Sequence, residues 1–101
     1  MKKNFMMAVV IGIAASSASA SAELAKSKNC MGCHAVSSKL VGPAFKDVGH
    51  KYAGQPGADA ALALKILKGS SGTWGPIPMP PSPQVTSAEA TSLALWILSQ
   101  R

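Results

Sequence analysis

Cys30-Met31-Gly32-Cys33-His34 sets two thiols three residues apart and puts an imidazole directly after the second. Cys-x-x-Cys-His is the attachment pattern of c-type haem. On a helical turn, thiols at this spacing reach the vinyl groups of two neighbouring pyrroles and form thioethers. The imidazole that follows then falls under the iron as its proximal ligand. Other chemistries share part of the pattern. Cys30 and Cys33 alone would make a thiol–disulfide redox pair, although that motif is expected beside a βαβ unit and no β-rich run precedes it here. They would also supply half of a four-ligand zinc site. Beyond residue 22, however, the remaining His and acidic residues stand singly at Glu23, Asp47, His50, Asp59 and Glu89, with no second cysteine pair. A coincidental match is the last alternative, and the adjacent His34 argues against it.

A haem iron held by His34 has a second axial position to fill. Beyond residue 22 the methionines are Met31 and Met79, and His50 is the one other histidine. Met31 lies between the tethering cysteines, on the proximal side. His50, next to Gly49, Lys51 and a Gly-rich segment, reads as a solvated loop side chain. Met79 has a plain reading as core filler, since Met often plugs gaps. Yet Pro76, Pro78, Pro80 and Pro81 bracket it. A stiff loop loses little ordering entropy when its thioether binds, so Met79 is the expected sixth ligand.

The chain start implies export. Met1-Lys2-Lys3 is basic, Phe5 to Ala15 is an unbroken apolar run of 11, and Ser16 to Ala22 is all small residues. That order marks residues 1–22 as a cleaved signal peptide. A membrane anchor would need about 20 apolar residues, so stable membrane insertion is not expected. Ala18-Ser19-Ala20 and Ala20-Ser21-Ala22 are alternative cleavage sites, giving Ser21 or Glu23 as the mature start. Residues 23–101 then form one domain of 79 residues in the periplasm, where this kind of haem attachment takes place. A chain that short needs a staple, and two cysteines are too few for a disulfide framework. The full chain carries ten basic and four acidic residues, a formal charge of +6; losing Lys2 and Lys3 leaves +4. A modest positive charge on an exported chain points away from nucleic acid. Lys26, Lys28, Lys39, Lys46, Lys51, Lys65 and Lys68 read as a solvated surface, some of them placed to steer acidic partners.

The positioning elements follow from breaks and periodicity. A first helix is expected from Glu23 to about Ala35. Pro43 to Val48 reads as a helical turn or two with Pro43 at the tolerated first position. Gly49, Gly54, Pro56 and Gly57 keep the next stretch loop-like. Ala58 to Lys68 repeats Ala58, Leu62 and Ile66 at helical spacing, with Ala61, Leu64 and Leu67 widening the stripe and Gly69 as the stop. Gly69 to Pro83 holds five prolines and is irregular, with Trp74, Ile77 and Met79 as apolar members. Thr86 and Glu89 make a capping box with Val85 and Ala90 as its staple, opening a last helix that carries Trp96. Trp96, Phe45 and Tyr52 read as packing residues. The expected class is all-α, with three to four short helices.

These segments together resemble the short bacterial class I cytochromes c, in particular the cytochrome c-551 group. The matching stretches are Cys30–His34, Val41-Gly42-Pro43-Ala44, Trp74-Gly75-Pro76-Ile77-Pro78-Met79-Pro80-Pro81 and Leu95–Gln100. The resemblance implies the class I cytochrome c fold, wrapped around one haem c attached through Cys30 and Cys33. It implies that Pro43 backs His34, and that Trp74 and Lys65 assist a haem propionate; the Trp74 indole N–H is a suitable single donor. Where the group often has Asn shortly after the methionine, this chain has Ser82 and Pro83. The implied function is that of a soluble, monomeric electron carrier with His34 and Met79 as iron ligands, not an enzyme. It would receive electrons from a quinol-oxidising complex and pass them to a terminal reductase such as nitrite reductase, or to an oxidase or peroxidase. The alternatives are a thiol–disulfide oxidoreductase using Cys30 and Cys33, and a haem sensor from which Met79 departs to admit a ligand.

Overall fold

Four α-helices and one 3-10 turn follow one another in residues 17–101, the part of the chain that the computed structural model describes. The apolar run Phe5–Ala15 of the expected signal peptide lies outside the described residues. Among the described residues there is no strand, and no helix is long and apolar enough to cross a membrane.

Helix α1, Ser17–Ser27, begins ahead of both expected cleavage sites and ends well short of the expected Ala35. Its end is set by Asn29, whose φ of 63° is left-handed, a conformation Asn tolerates better than most residues. The chain then enters the 3-10 turn Cys30–Gly32. Helix α2, Phe45–Tyr52, starts two residues after Pro43, with Ala44 at its N-cap. Pro43 therefore precedes the helix instead of opening it. Two N–H groups of the first turn are satisfied by main chain, Phe45 by the Ala35 carbonyl at 2.9 Å and Lys46 by that of Val36 at 3.0 Å. These bonds fold the segment after the cysteines back onto α2.

Gly49 does not break α2. A Cβ there would stand 2.9 Å from the Ile97 carbonyl oxygen and 3.4 Å from that of Leu98. The glycine is a point of close helix approach. Helix α3, Ala58–Lys68, has the expected bounds, but its buried face is Ala58, Leu62, Ala63 and Ile66, while Leu64 is 54% exposed. Gly69 ends it at φ 79°, its N–H donating to the Lys65 carbonyl.

Helix α4, Ser87–Leu98, is the platform on which α1, α2 and α3 all pack. The capping box is present in full: Glu89 N–H donates to Thr86 Oγ1 at 3.2 Å, and Thr86 N–H donates to Glu89 Oε1 at 3.0 Å. The Thr86 N–H, helped by the nearby Lys28, holds the Glu89 carboxyl below its usual range against a smaller opposing effect of burial. Val85 and Ala90, at the staple positions, are both buried. Leu93, Ala94, Trp96 and Ile97 continue the core, with Trp96 edge-on to Phe45 at 5.3 Å between centroids.

Gly49→Ala tests the α2–α4 approach. In an open helix this change gains about 1 kcal/mol; here the backbone contact should reverse the sign and cost about 1–3 kcal/mol. Thr86→Ala should cost about 1 kcal/mol through the lost cap. Urea unfolding of the holoprotein measures both, and a stabilised Gly49→Ala protein would contradict the packing described.

Candidate haem-binding site

A cavity of about 760 Å³ opens between the segment around the cysteines and the Pro-rich loop. Its size is that of a cofactor site. Cys30, Cys33, His34, Pro43, Lys65, Trp74 and Met79 all line it, so one cavity gathers every residue expected to hold or support the haem. Phe45, Leu62, Ile66, Leu93 and Ile97 give it an apolar interior.

The Cys30 carbonyl accepts from both Cys33 N–H at 3.2 Å and His34 N–H at 3.0 Å. This winds the five-residue motif into a tight turn that brings both thiols and the imidazole to one cavity. The thiols are not joined as a disulfide. Burial pushes the Cys30 thiol up, opposed by a smaller effect of its own backbone hydrogen bond. A thiol–disulfide catalyst needs the opposite, a nucleophile whose pKa is depressed.

His34 is held by its surroundings. Its Nδ1 lies 2.8 Å from the Pro43 carbonyl oxygen, which accepts the Nδ1 proton and leaves Nε2 as the basic nitrogen. This is the arrangement that prepares an imidazole to bind a metal. Phe45 stacks on the ring at 4.8 Å and 18°. Gly42 packs against it as well: a Cβ there would sit 2.8 Å from Nδ1 and 2.9 Å from Nε2. Gly42 N–H donates to the Cys33 carbonyl at 2.8 Å, which fixes the loop under the ring.

Met79 is half-buried and packs against the core. Its main chain is fixed by a pair of bonds with Ser70, Met79 N–H to the Ser70 carbonyl at 2.8 Å and Ser70 N–H to the Met79 carbonyl at 3.0 Å. These close the loop between residues 70 and 79 at its base. Gly69 permits the closure, since a Cβ there would come within 2.6 Å of the Met79 carbonyl oxygen. Trp74 lies on the same loop, 40% exposed, with the Lys51 ammonium 5.6 Å from its ring centroid as a cation–π partner. Lys65, half-buried on α3, lines the cavity too, and neither its ammonium nor the Trp74 indole N–H has a hydrogen-bond partner among the described residues. Lys28 and Lys39 are further basic residues of the lining, with Asp47 as an acidic one.

His50 sits exposed in the last turn of α2 and is not part of the cavity. Trp96 and Tyr52, read as packing residues, do pack in the core but also line the cavity. The sequence reading missed Gly42 and the Phe45 stack as supports of His34. It also missed Lys28 and Gln84, which meet across 56 positions in the chain. The Gly-Pro pair eight residues after His34 was the visible signal for the first of these.

The donor set fits haem c: two thiols and a tautomer-fixed imidazole from one turn, a thioether from a braced loop, and an apolar interior between. Comparison with known proteins agrees. The cytochrome c family model matches residues 18–101. Cytochrome c-551 of Pseudomonas aeruginosa is 58% identical over 78 residues, covering 77% of this chain and 74% of its own. Cytochrome c-552 of Hydrogenobacter thermophilus is 53% identical over 97 residues, covering 96% of this chain and 97% of its own. The crystal structure of Nitrosomonas europaea cytochrome c552 superposes with a TM-score of 0.78 at 54% identity, covering 79% of this chain and 99% of that one. By these matches the chain belongs to the cytochrome c family, as a small electron carrier with one covalently bound haem c and not as an enzyme.

Proposed function

We propose that Cys30 and Cys33 hold the haem by thioether bonds, that His34 Nε2 and Met79 sulfur take the two axial positions on its iron, and that the mature protein, residues 23–101, is a monomeric carrier of single electrons in the periplasm. The supply is a quinol-oxidising complex. The acceptor is a terminal reductase such as nitrite reductase, or an oxidase or peroxidase. The observation that carries this reading is that His34, oriented by Pro43, and Met79, braced by Ser70, line one and the same cavity.

When bound, haem supplies a one-electron iron couple. The protein's own groups decide what that couple is used for. With His34 and Met79 both bound to it, the iron would have no open position for oxygen or a substrate, which favours electron transfer over activation chemistry. The thioether raises the potential relative to a second imidazole, and the apolar lining adds to this by keeping water away. The Ser70–Met79 bonds and the flanking prolines keep the sulfur in place through a redox cycle, which supports a carrier over a ligand-releasing sensor. Lys65 and the Trp74 N–H are placed to take a propionate. Lys28, Lys39 and Lys65 at the cavity give its surroundings a positive potential suited to acidic partners.

Met79→His should lower the midpoint potential measured by redox titration; an unchanged potential would remove Met79 from the ligand set. Raising ionic strength should slow electron transfer to an acidic physiological acceptor in stopped-flow mixing. Rates that are indifferent to salt, or that rise with it, would contradict electrostatic steering.

A further inference from the structure

From Met79 the chain runs through a short arm, residues 80–85, into α4. Most of the bonds that locate this arm tie it to its own side of the cavity. Met79 pairs with Ser70, Ser82 N–H donates to the Ile66 carbonyl of α3 at 3.1 Å, and Val85 N–H donates to the Ser82 carbonyl at 3.1 Å. Buried Val85 then anchors the arm in the core.

One pair of bonds does something different. Lys28 Nζ donates to the Gln84 carbonyl at 3.0 Å, and Gln84 Nε2 donates back to the Lys28 carbonyl at 3.0 Å. Each residue offers both its side chain and its main chain, so the two backbones are locked together. Among the described residues, these are the only hydrogen bonds between residues 28–43, which carry the cysteines and His34, and residues 70–85, which carry Met79. Lys28 stands two residues before Cys30. Its ammonium also lies 3.5 Å from Glu89, in the capped first turn of α4, which keeps the lysine directed at the arm.

We infer that Lys28 and Gln84 form a clasp that sets the spacing between the His34 segment and the Met79 arm, and so holds the Met79 sulfur on the iron. The inference rests on the ligation proposed above. Lys28 and Gln84 are positioning residues: their side chains bond to each other's main chain and act through the two backbones. Without the clasp the arm keeps its ties to α3 and α4 but loses its link to the cysteine segment. The sulfur then yields more readily to a competing ligand.

The test is an imidazole titration of the oxidised holoprotein, following loss of the sulfur-to-iron charge-transfer absorption. Gln84 is exposed, so Gln84→Ala removes half of the clasp without opening the core. Imidazole affinity should rise about tenfold in Gln84→Ala and in Lys28→Met, the scale of one or two lost hydrogen bonds. Lys28→Arg, which keeps a charged donor, should return it towards the parent value. Gly49→Ala destabilises the α2–α4 contact at the Ile97 and Leu98 carbonyls, leaves the Lys28–Gln84 and Ser70–Met79 bonds in place, and should leave imidazole affinity unchanged. Parent-like affinity in Gln84→Ala, or an equal rise in Gly49→Ala, would overturn the clasp while leaving the ligation intact. A Met79→Ala protein with the parent's absorption would overturn both.

Discussion

The fold depends on one constraint: an imidazole and a thioether, 45 residues apart in a short chain, must line the same cavity. Neither arrives there through regular structure. His34 follows a 3-10 turn, and Met79 closes an irregular loop. The helices serve to fix the ends of these two segments. Helix α4 does most of this, since α1 leads to the cysteines, α2 carries the Phe45 ring against His34, α3 launches the Met79 loop, and all three pack on α4. The Phe45 ring, stacked on His34 and edge-on to Trp96, links the proposed iron ligand directly to that platform. Aromatic pairs of this kind contribute about 0.5–1.5 kcal/mol each beyond their burial.

The two ligand segments are made rigid by different means. Around His34 the means are contacts: a carbonyl on Nδ1, a ring on its face and a glycine that lets the loop approach. Around Met79 they are local to the loop itself. The prolines limit the conformations of the unfolded loop, and the Ser70 bonds close its base. A redox carrier benefits from both, because an iron environment that does not rearrange between oxidation states exchanges electrons with little reorganisation.

Much of this was legible in the sequence because it is local. The Cys30–His34 motif, the Thr86–Glu89 capping box and the Ala58–Lys68 helix are each written within a dozen residues; the structure has the box and the helix where they were expected, and winds the motif on a 3-10 turn instead of the expected first helix. Haem c, the all-α fold and the electron-carrier class followed from such signals and from the family resemblance. What failed was decided by tertiary contact or by backbone conformation. Gly49 looks like a helix breaker, but it lies within α2 because α4 backbone passes too close for a side chain. Leu64 fits the apolar stripe of α3 yet faces solvent. Asn29 ends the first helix early through a left-handed turn that composition does not announce. The Lys28–Gln84 pair is invisible to any local pattern, since its members lie 56 positions apart and Lys28 reads as one more surface lysine.

The most direct measurement is X-ray absorption at the iron edge of the oxidised protein produced with its export and haem-attachment machinery. One sulfur neighbour among otherwise nitrogen neighbours, lost when Met79 is replaced by alanine, is the expected result. An iron surrounded by nitrogen alone, or one that keeps its sulfur without Met79, would contradict the pairing of His34 with Met79 on which the account rests.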